Sequence, residues 1–114
     1  MEGGQTNEFR PLILVAEDDD SNFKLIKAII GKKCDIQWAK NGEEIVALFK
    51  EYGKEAKAIL MDIKMPVMNG LDATKIIRGE NKEIPIIMQT AYAFSSDKEN
   101  AMNAGASEVL VKPV

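Results

Sequence analysis

Histidine is absent from all 114 residues of this chain. That absence removes imidazole acid–base chemistry, histidine metal sites and Ser-His-Asp triads together. Cysteine is nearly absent: Cys34 is the single one, so there is no intrachain disulfide and no thiolate metal cluster. Such cysteine usage fits a reducing compartment, and the cytoplasm is the expected location. Cys34 itself reads as a small apolar filler near a helix end. No apolar run approaches the ~20 residues of a membrane span, and the first residues are polar with no signal-peptide core, so no membrane contact is expected. An excess of basic charge is missing too. The balance of 15 Lys and Arg against 18 Asp and Glu leaves a net charge of −3, which argues against direct nucleic-acid binding. Lys24, Lys27, Lys32 and Lys33 read as a solvated helix face.

What remains is carboxylates, hydroxyls and lysines on an ordinary globular background of 46% hydrophobic and 29% charged residues. The length allows one domain with a real core and not two. Residues 1–10 carry no periodicity and read as a flexible tail or linker, which leaves residues 11–114 as the folded unit. Within it, apolar runs alternate with helical stripes. Leu12–Ala16 reads as a buried strand ending in Glu17-Asp18-Asp19-Asp20. Ser21 and Asn22 offer N-caps for a helix with Phe23, Ile26 and Ile30 on its inner stripe and Leu25 and Ile29 widening it, closed by Gly31. Asp35–Ala39 alternates as a half-buried strand near an edge, with Trp38 in sheet packing. Asn41 caps a helix carrying Ile45, Leu48, Phe49 and Tyr52, with Glu44 completing a capping box and Gly53 ending it.

The stretch Ala58-Ile59-Leu60-Met61-Asp62 reads as a strand buried on both faces. A loop punctuated by Pro66 and Gly70 follows it, and then a helix to about Arg78 with Gly79 as its stop. Ile84–Met88 is a fourth strand, with Pro85 near its start, and it runs into Gln89 and Thr90. Ser96 and Glu99 form a capping box for a short helix closed by Gly105. Its only apolar residues are Ala101, Met102 and Ala104, so it is expected to be held weakly. Glu108–Val111 is a fifth strand before Lys112-Pro113. This alternation implies an α/β doubly wound, five-stranded parallel sheet. No helix follows the fifth strand, which suggests a unit cut before its last helix or covered by a partner.

The strand exits carry the chemistry. Strand one delivers Glu17 and Asp18, strand three Asp62, strand four Thr90 and strand five Lys112. Taken alone, Asp62 would equally well cap the next turn. Three carboxylates brought together repel one another unless a cation joins them, and without histidine or paired cysteine a hard oxygen-loving ion such as Mg²⁺ is the natural candidate. For Asp18 and Asp62 to share it, strands one and three must be neighbours, which gives the order 2-1-3-4-5 with its crevice at the switch point. A carboxylate flanked by a hydroxyl and an ammonium is a plausible phosphoryl acceptor, with Asp62 as nucleophile and Thr90 and Lys112 offsetting charge. No general base is needed, because a carboxylate is ionised at neutral pH.

The set Val15-Ala16-Glu17-Asp18, Leu60-Met61-Asp62-Ile63-Lys64-Met65-Pro66, Asn69-Gly70, Thr90-Ala91 and Val111-Lys112-Pro113 resembles the response-regulator receiver domains of two-component signalling, over roughly residues 11–114. The segment around Asp62 looks most like receivers attached to hybrid sensor kinases. The resemblance implies a flavodoxin-like fold lacking its last helix, and Asp62 as phosphoacceptor. It also implies a Mg²⁺ site of Asp18, Asp62 and the backbone carbonyl of Lys64, with Glu17 acting largely through water. Thr90 and Lys112 would be the switch hydroxyl and the phosphate-contacting lysine. Lys64 and Tyr92 would tune dephosphorylation, and Lys112-Pro113 would be a cis peptide. The implied partners are a histidine kinase or phosphotransfer domain and a downstream effector. The module would not be an enzyme beyond autocatalysing its own phosphorylation and hydrolysis. Two departures stand out: Val109 occupies the place of a switching aromatic, and the fifth helix is missing.

Three other classes fit less well. A flavin carrier would need a phosphate loop where this chain has four acids, and an Asp-nucleophile phosphatase would need an acid where Lys64 stands. A degenerate receiver serving only as a docking module would be expected to have lost part of the acid pocket or Lys112.

Overall fold

The computed structural model describes residues 10–91 and 96–112. Five strands, β1 (Leu12–Ala16), β2 (Asp35–Ala39), β3 (Ala56–Asp62), β4 (Ile86–Thr90) and β5 (Glu108–Val111), alternate with four helices, α1 (Asp20–Ile30), α2 (Gly42–Tyr52), α3 (Gly70–Glu80) and α4 (Asp97–Ala104). The strands are parallel in the order β2-β1-β3-β4-β5, as expected. Tyr92 and the Lys112-Pro113 peptide bond lie outside the described residues.

Two apolar layers hold the sheet. One side buries Leu14, Ile59, Met61, Ile86 and Met88 beneath Ile45 and Phe49 of α2, Ile77 of α3 and Ala101 of α4. The other packs Val15 against Phe23 and Ile26 of α1, with Trp38 and Leu60 alongside. Among the described residues, this second side is covered by α1 alone. Beyond it, Ile13, Ile30, Cys34, Ala58, Leu60, Ile87 and Leu110 line a wholly apolar hollow of about 260 Å³. No helix of the described residues is long and apolar enough to cross a membrane.

Several local expectations need correction. The cap of α1 is Asp19, whose carboxylate accepts from Ser21 N at 3.0 Å; neither Ser21 nor Asn22 caps it. Leu25 and Ile29 are 41% and 55% exposed and do not widen the buried stripe, because the turn of α1 that faces the sheet is already filled by Phe23 and Ile26. Helix α3 runs through Gly79 to Glu80. The stop is Asn81, whose side chain accepts from Glu83 N and Ile84 N and draws the chain out of the helix. Strand β4 begins after Pro85, which brings no N–H to the ladder, and extends through Gln89 and Thr90 because β3 and β5 pair with it on both sides. Ser96 makes no side-chain cap, so the expected box with Glu99 does not form, and Met102 is exposed. Gly105 does close α4 in the left-handed conformation, at φ 115°. Arg10, assigned to the tail, is tied to the domain: its guanidinium donates to the carbonyls of Gly31, Lys32 and Cys34 and to the Asp35 carboxylate, satisfying orphan groups past the end of α1.

Candidate functional site

Strand register brings the polar tips level. Ala16 pairs with Met61, so Glu17 and Asp62 are the next residues out of adjacent strands. Asp62 pairs with Gln89 and Thr90 with Val111, which sets Thr90 and then Lys112 at the same rim. Asp18, Asp62, Lys64, Thr90, Ala91 and Lys112 line one cavity of about 220 Å³. Of the residues expected from the sequence, Asp18, Asp62, Lys64, Thr90 and Lys112 line it and Glu17 contacts Lys112 beside it, while Tyr92 lies outside the described residues.

The charges pair closely. Lys112 Nζ lies 2.6 Å from Asp62 Oδ2 and 3.4 Å from Glu17 Oε2. Glu17 is fully buried and Asp62 nearly so, whereas Asp18 is exposed. One carboxylate oxygen from each of Glu17, Asp18 and Asp62 lies within 4.8 Å of the others, close enough for the three to hold a metal ion. Burial pushes the Glu17 carboxyl above its ordinary range and the charge of Asp62 adds to this, while hydrogen bonds from Asn22 and the Asp19 backbone and the charge of Lys112 pull the other way. Burial works to lower Lys112, but its hydrogen bond and ion pair with Asp62 and its contact with Glu17 outweigh that, leaving its pKa raised. Oxygen donors alone, crowded and partly buried, suit a hard cation.

The loop after Asp62 is clamped by its neighbours. Gly70 N donates to Ile63 O at 2.8 Å and Gly42 N donates to Met68 O at 2.8 Å. Val67 sits at φ 69° with Met68 N bonded to Pro66 O, a tight turn that β-branched residues rarely adopt. At the far rim the Thr90 hydroxyl reaches the Asp97 carboxylate at 3.3 Å, tying the strand tip to the first turn of α4.

Three supporting residues escaped the sequence reading. Asn22, taken for a cap, donates its side-chain amide to the Glu17 carboxylate. Trp38, taken for sheet packing, donates its indole N–H to the carbonyl oxygen of Glu17 at 2.8 Å. Asp97 holds Thr90. Asn22 lies five residues after Glu17, which itself precedes α1, so helical spacing does not relate the two. Nothing in the sequence pointed Trp38 or Asp97 at their partners.

Residues 13–114 match the family model described as response regulator receiver domain. The chain is 40% identical over 110 residues to hybrid signal transduction histidine kinase I of Dictyostelium discoideum, covering 90% of this chain and 6% of that protein. Among solved structures, it resembles the receiver domain of the sensor histidine kinase PA1611 of Pseudomonas aeruginosa, which has a magnesium ion coordinated in its active-site cleft. There the TM-score is 0.85 at 32% identity, over 93% of this chain and 88% of that one. It also resembles a co-crystal of the Saccharomyces cerevisiae phosphotransfer protein Ypd1 with the receiver domain of its response regulator Ssk1, at TM-score 0.83 and 30% identity, over 92% and 80% of the two chains. Fold, level acidic strand tips and family model agree: the chain belongs to the response regulator receiver domains of two-component signalling.

Proposed function

We propose that this chain is a phosphoacceptor module of a phosphorelay, with Asp62 taking a phosphoryl group from a phosphohistidine on a histidine kinase or phosphotransfer protein. The observation that carries this reading is the contact of Lys112 Nζ with Asp62 at 2.6 Å, beside carboxylate oxygens of Glu17 and Asp18 within 4.8 Å of Asp62. In the transfer, an Asp62 carboxylate oxygen forms a bond to phosphorus as the phosphorus–nitrogen bond breaks, and the electron pair leaves on the imidazole nitrogen of the donor. The ammonium of Lys112 offsets charge on the transferring oxygens, and the Thr90 hydroxyl donates to one of them once it turns from Asp97. Asp18 and Asp62, with the backbone carbonyl of Lys64 and with Glu17 through water, would hold Mg²⁺. That ion neutralises phosphoryl charge when bound.

Residues 11–114 form the receiver unit in this reading, with Arg10 tied to it. The apolar hollow beyond α1 is a face that a further helix or a partner would cover. The module has no separate substrate: it promotes only its own phosphorylation and hydrolysis. Its output is altered binding of an effector through the segment after Thr90. A docking-only receiver has no observation in its favour, since all four strand tips keep their groups in one cavity. The test is transfer of radiolabel from a phosphorylated histidine phosphotransfer protein in Mg²⁺. Wild type should take up label that alkali and hydroxylamine release, as an acyl phosphate does, Asp62→Asn should take up none, and equal labelling of the variant refutes the assignment.

A further inference from the structure

We infer that Trp38, on the edge strand and outside the acid pocket, is a positioning residue that sets the pocket's affinity for its divalent cation. This rests on the receiver reading above. The carboxylates of Glu17 and Asp18 hang from a short turn between β1 and α1. Two groups at the end of β2 grip that turn. Ala39 O accepts from Glu17 N at 2.9 Å, and the Trp38 indole N–H donates to Glu17 O at 2.8 Å. Together they engage both backbone polar groups of Glu17, and the bond to its carbonyl oxygen fixes the peptide plane that leads into Asp18. Asp19 N then folds back onto the Glu17 carboxylate at 3.2 Å, and the Asp19 side chain caps α1.

The indole is itself held. Phe23 of α1 stacks on it with ring centroids 3.9 Å apart and planes 2° from parallel. Lys40 Nζ sits 4.8 Å from the ring centroid and pairs with Asp20 at 3.3 Å. A strap therefore runs from the first turns of α1 through Phe23 and Asp20 to Trp38 and Lys40. It meets the pocket turn through the indole N–H on Glu17 O.

Three crowded acids push that turn apart when no cation is bound. A fixed carbonyl keeps Asp18 in place for the ion, so the cost of ordering the turn is not drawn from metal binding. Trp38→Phe keeps an aromatic ring, though a smaller one, against Phe23 and removes the N–H donor. The loss of one hydrogen bond should weaken Mg²⁺ binding roughly three- to tenfold, while the rate of phosphorylation at saturating Mg²⁺ stays within about twofold of wild type. A role confined to packing would leave the affinity untouched.

The experiment measures the Mg²⁺ dissociation constant by NMR titration of wild type and Trp38→Phe, alongside labelling from acetyl phosphate at saturating Mg²⁺. A weaker constant with a preserved saturating rate supports the inference; equal constants overturn it. Should the variant fail to fold, the indole N–H resonance of the wild type, the only tryptophan of the chain, is followed instead. It should shift with the same midpoint as the pocket amides, and an indole blind to Mg²⁺ overturns the inference. If the wild-type pocket binds no Mg²⁺ at all, the receiver reading fails and this inference falls with it, an outcome distinct from equal constants in the two proteins.

Discussion

Two glycines of α3 show how differently the same residue is used. A Cβ on Gly70 would stand 2.2 Å from the carbonyl oxygen of Asp62, whereas one on Gly79 would meet nothing within 4 Å. The first glycine lets the helix start pack onto Asp62; the second is an exposed interior position with no such duty. Gly70→Ala should therefore destabilise the fold by about 1–3 kcal/mol through overpacking against backbone and slow phosphorylation by displacing Asp62. Gly79→Ala should raise stability by about 0.5–1 kcal/mol with labelling unchanged. Thermal unfolding of the two variants, read together with acetyl phosphate labelling, checks both. The sequence made Gly70 legible as part of a turn but misread Gly79 as a stop, because the true terminator is the side chain of Asn81 and such a local bond competes with the helix without any glycine. The clustering of the candidate site was legible residue by residue, since Glu17, Asp18, Asp62, Thr90 and Lys112 lie at strand ends. The residues that orient them were not, because Trp38 and Asn22 act through bonds that exist only once α1 and β2 flank the same turn.

Among the helices, α4 is expected to open most readily. It has eight residues and buries only Ala101 and Ala104. It begins without a side-chain cap, and its Asp97 carboxylate accepts from the Thr90 hydroxyl at the rim of the acid site. A short helix with so little buried apolar area opens at low cost. When Thr90 turns toward a phosphoryl group, its bond to Asp97 is given up and α4 loses an anchor. Amide exchange in residues 97–104 should be the fastest of the four helices, and it should change on phosphorylation while α2 exchange stays constant; an α4 that responds no more than α2 would contradict the switch. The strands were the legible elements. β1, β2 and β5 follow from apolar runs and alternation, and their level tips follow from parallel register. β4 was misplaced by two residues because its outer half is polar Gln89 and Thr90, held in the sheet by neighbours on both sides and not by its own hydrophobicity.

For the whole molecule, the proposed metal binding at the acid pocket has a consequence for stability. Glu17, Asp18 and Asp62 face one another across the switch point of the sheet, so their repulsion weakens the metal-free fold, and a bound cation stabilises the folded form alone. Mg²⁺ at a hundredfold over its dissociation constant should add about 2.7 kcal/mol to the unfolding free energy, and chelation should remove it. Asp18→Asn should raise the melting temperature of the metal-free protein slightly and abolish the increment, as thermal scans with and without Mg²⁺ would show. The topology was legible from the alternation of elements and from the need to bring Asp18 beside Asp62. The apolar hollow over Ile87 and Leu110 agrees with the reading that β5 lacks a covering helix among the described residues.

The most direct test of the acceptor assignment is to incubate the chain with acetyl phosphate and Mg²⁺, reduce the acyl phosphate with borohydride, and map the modified residue by peptide mass spectrometry. The account predicts a single modification, on Asp62. Modification at any other residue, or none in wild type under conditions where Mg²⁺ is bound, would contradict it.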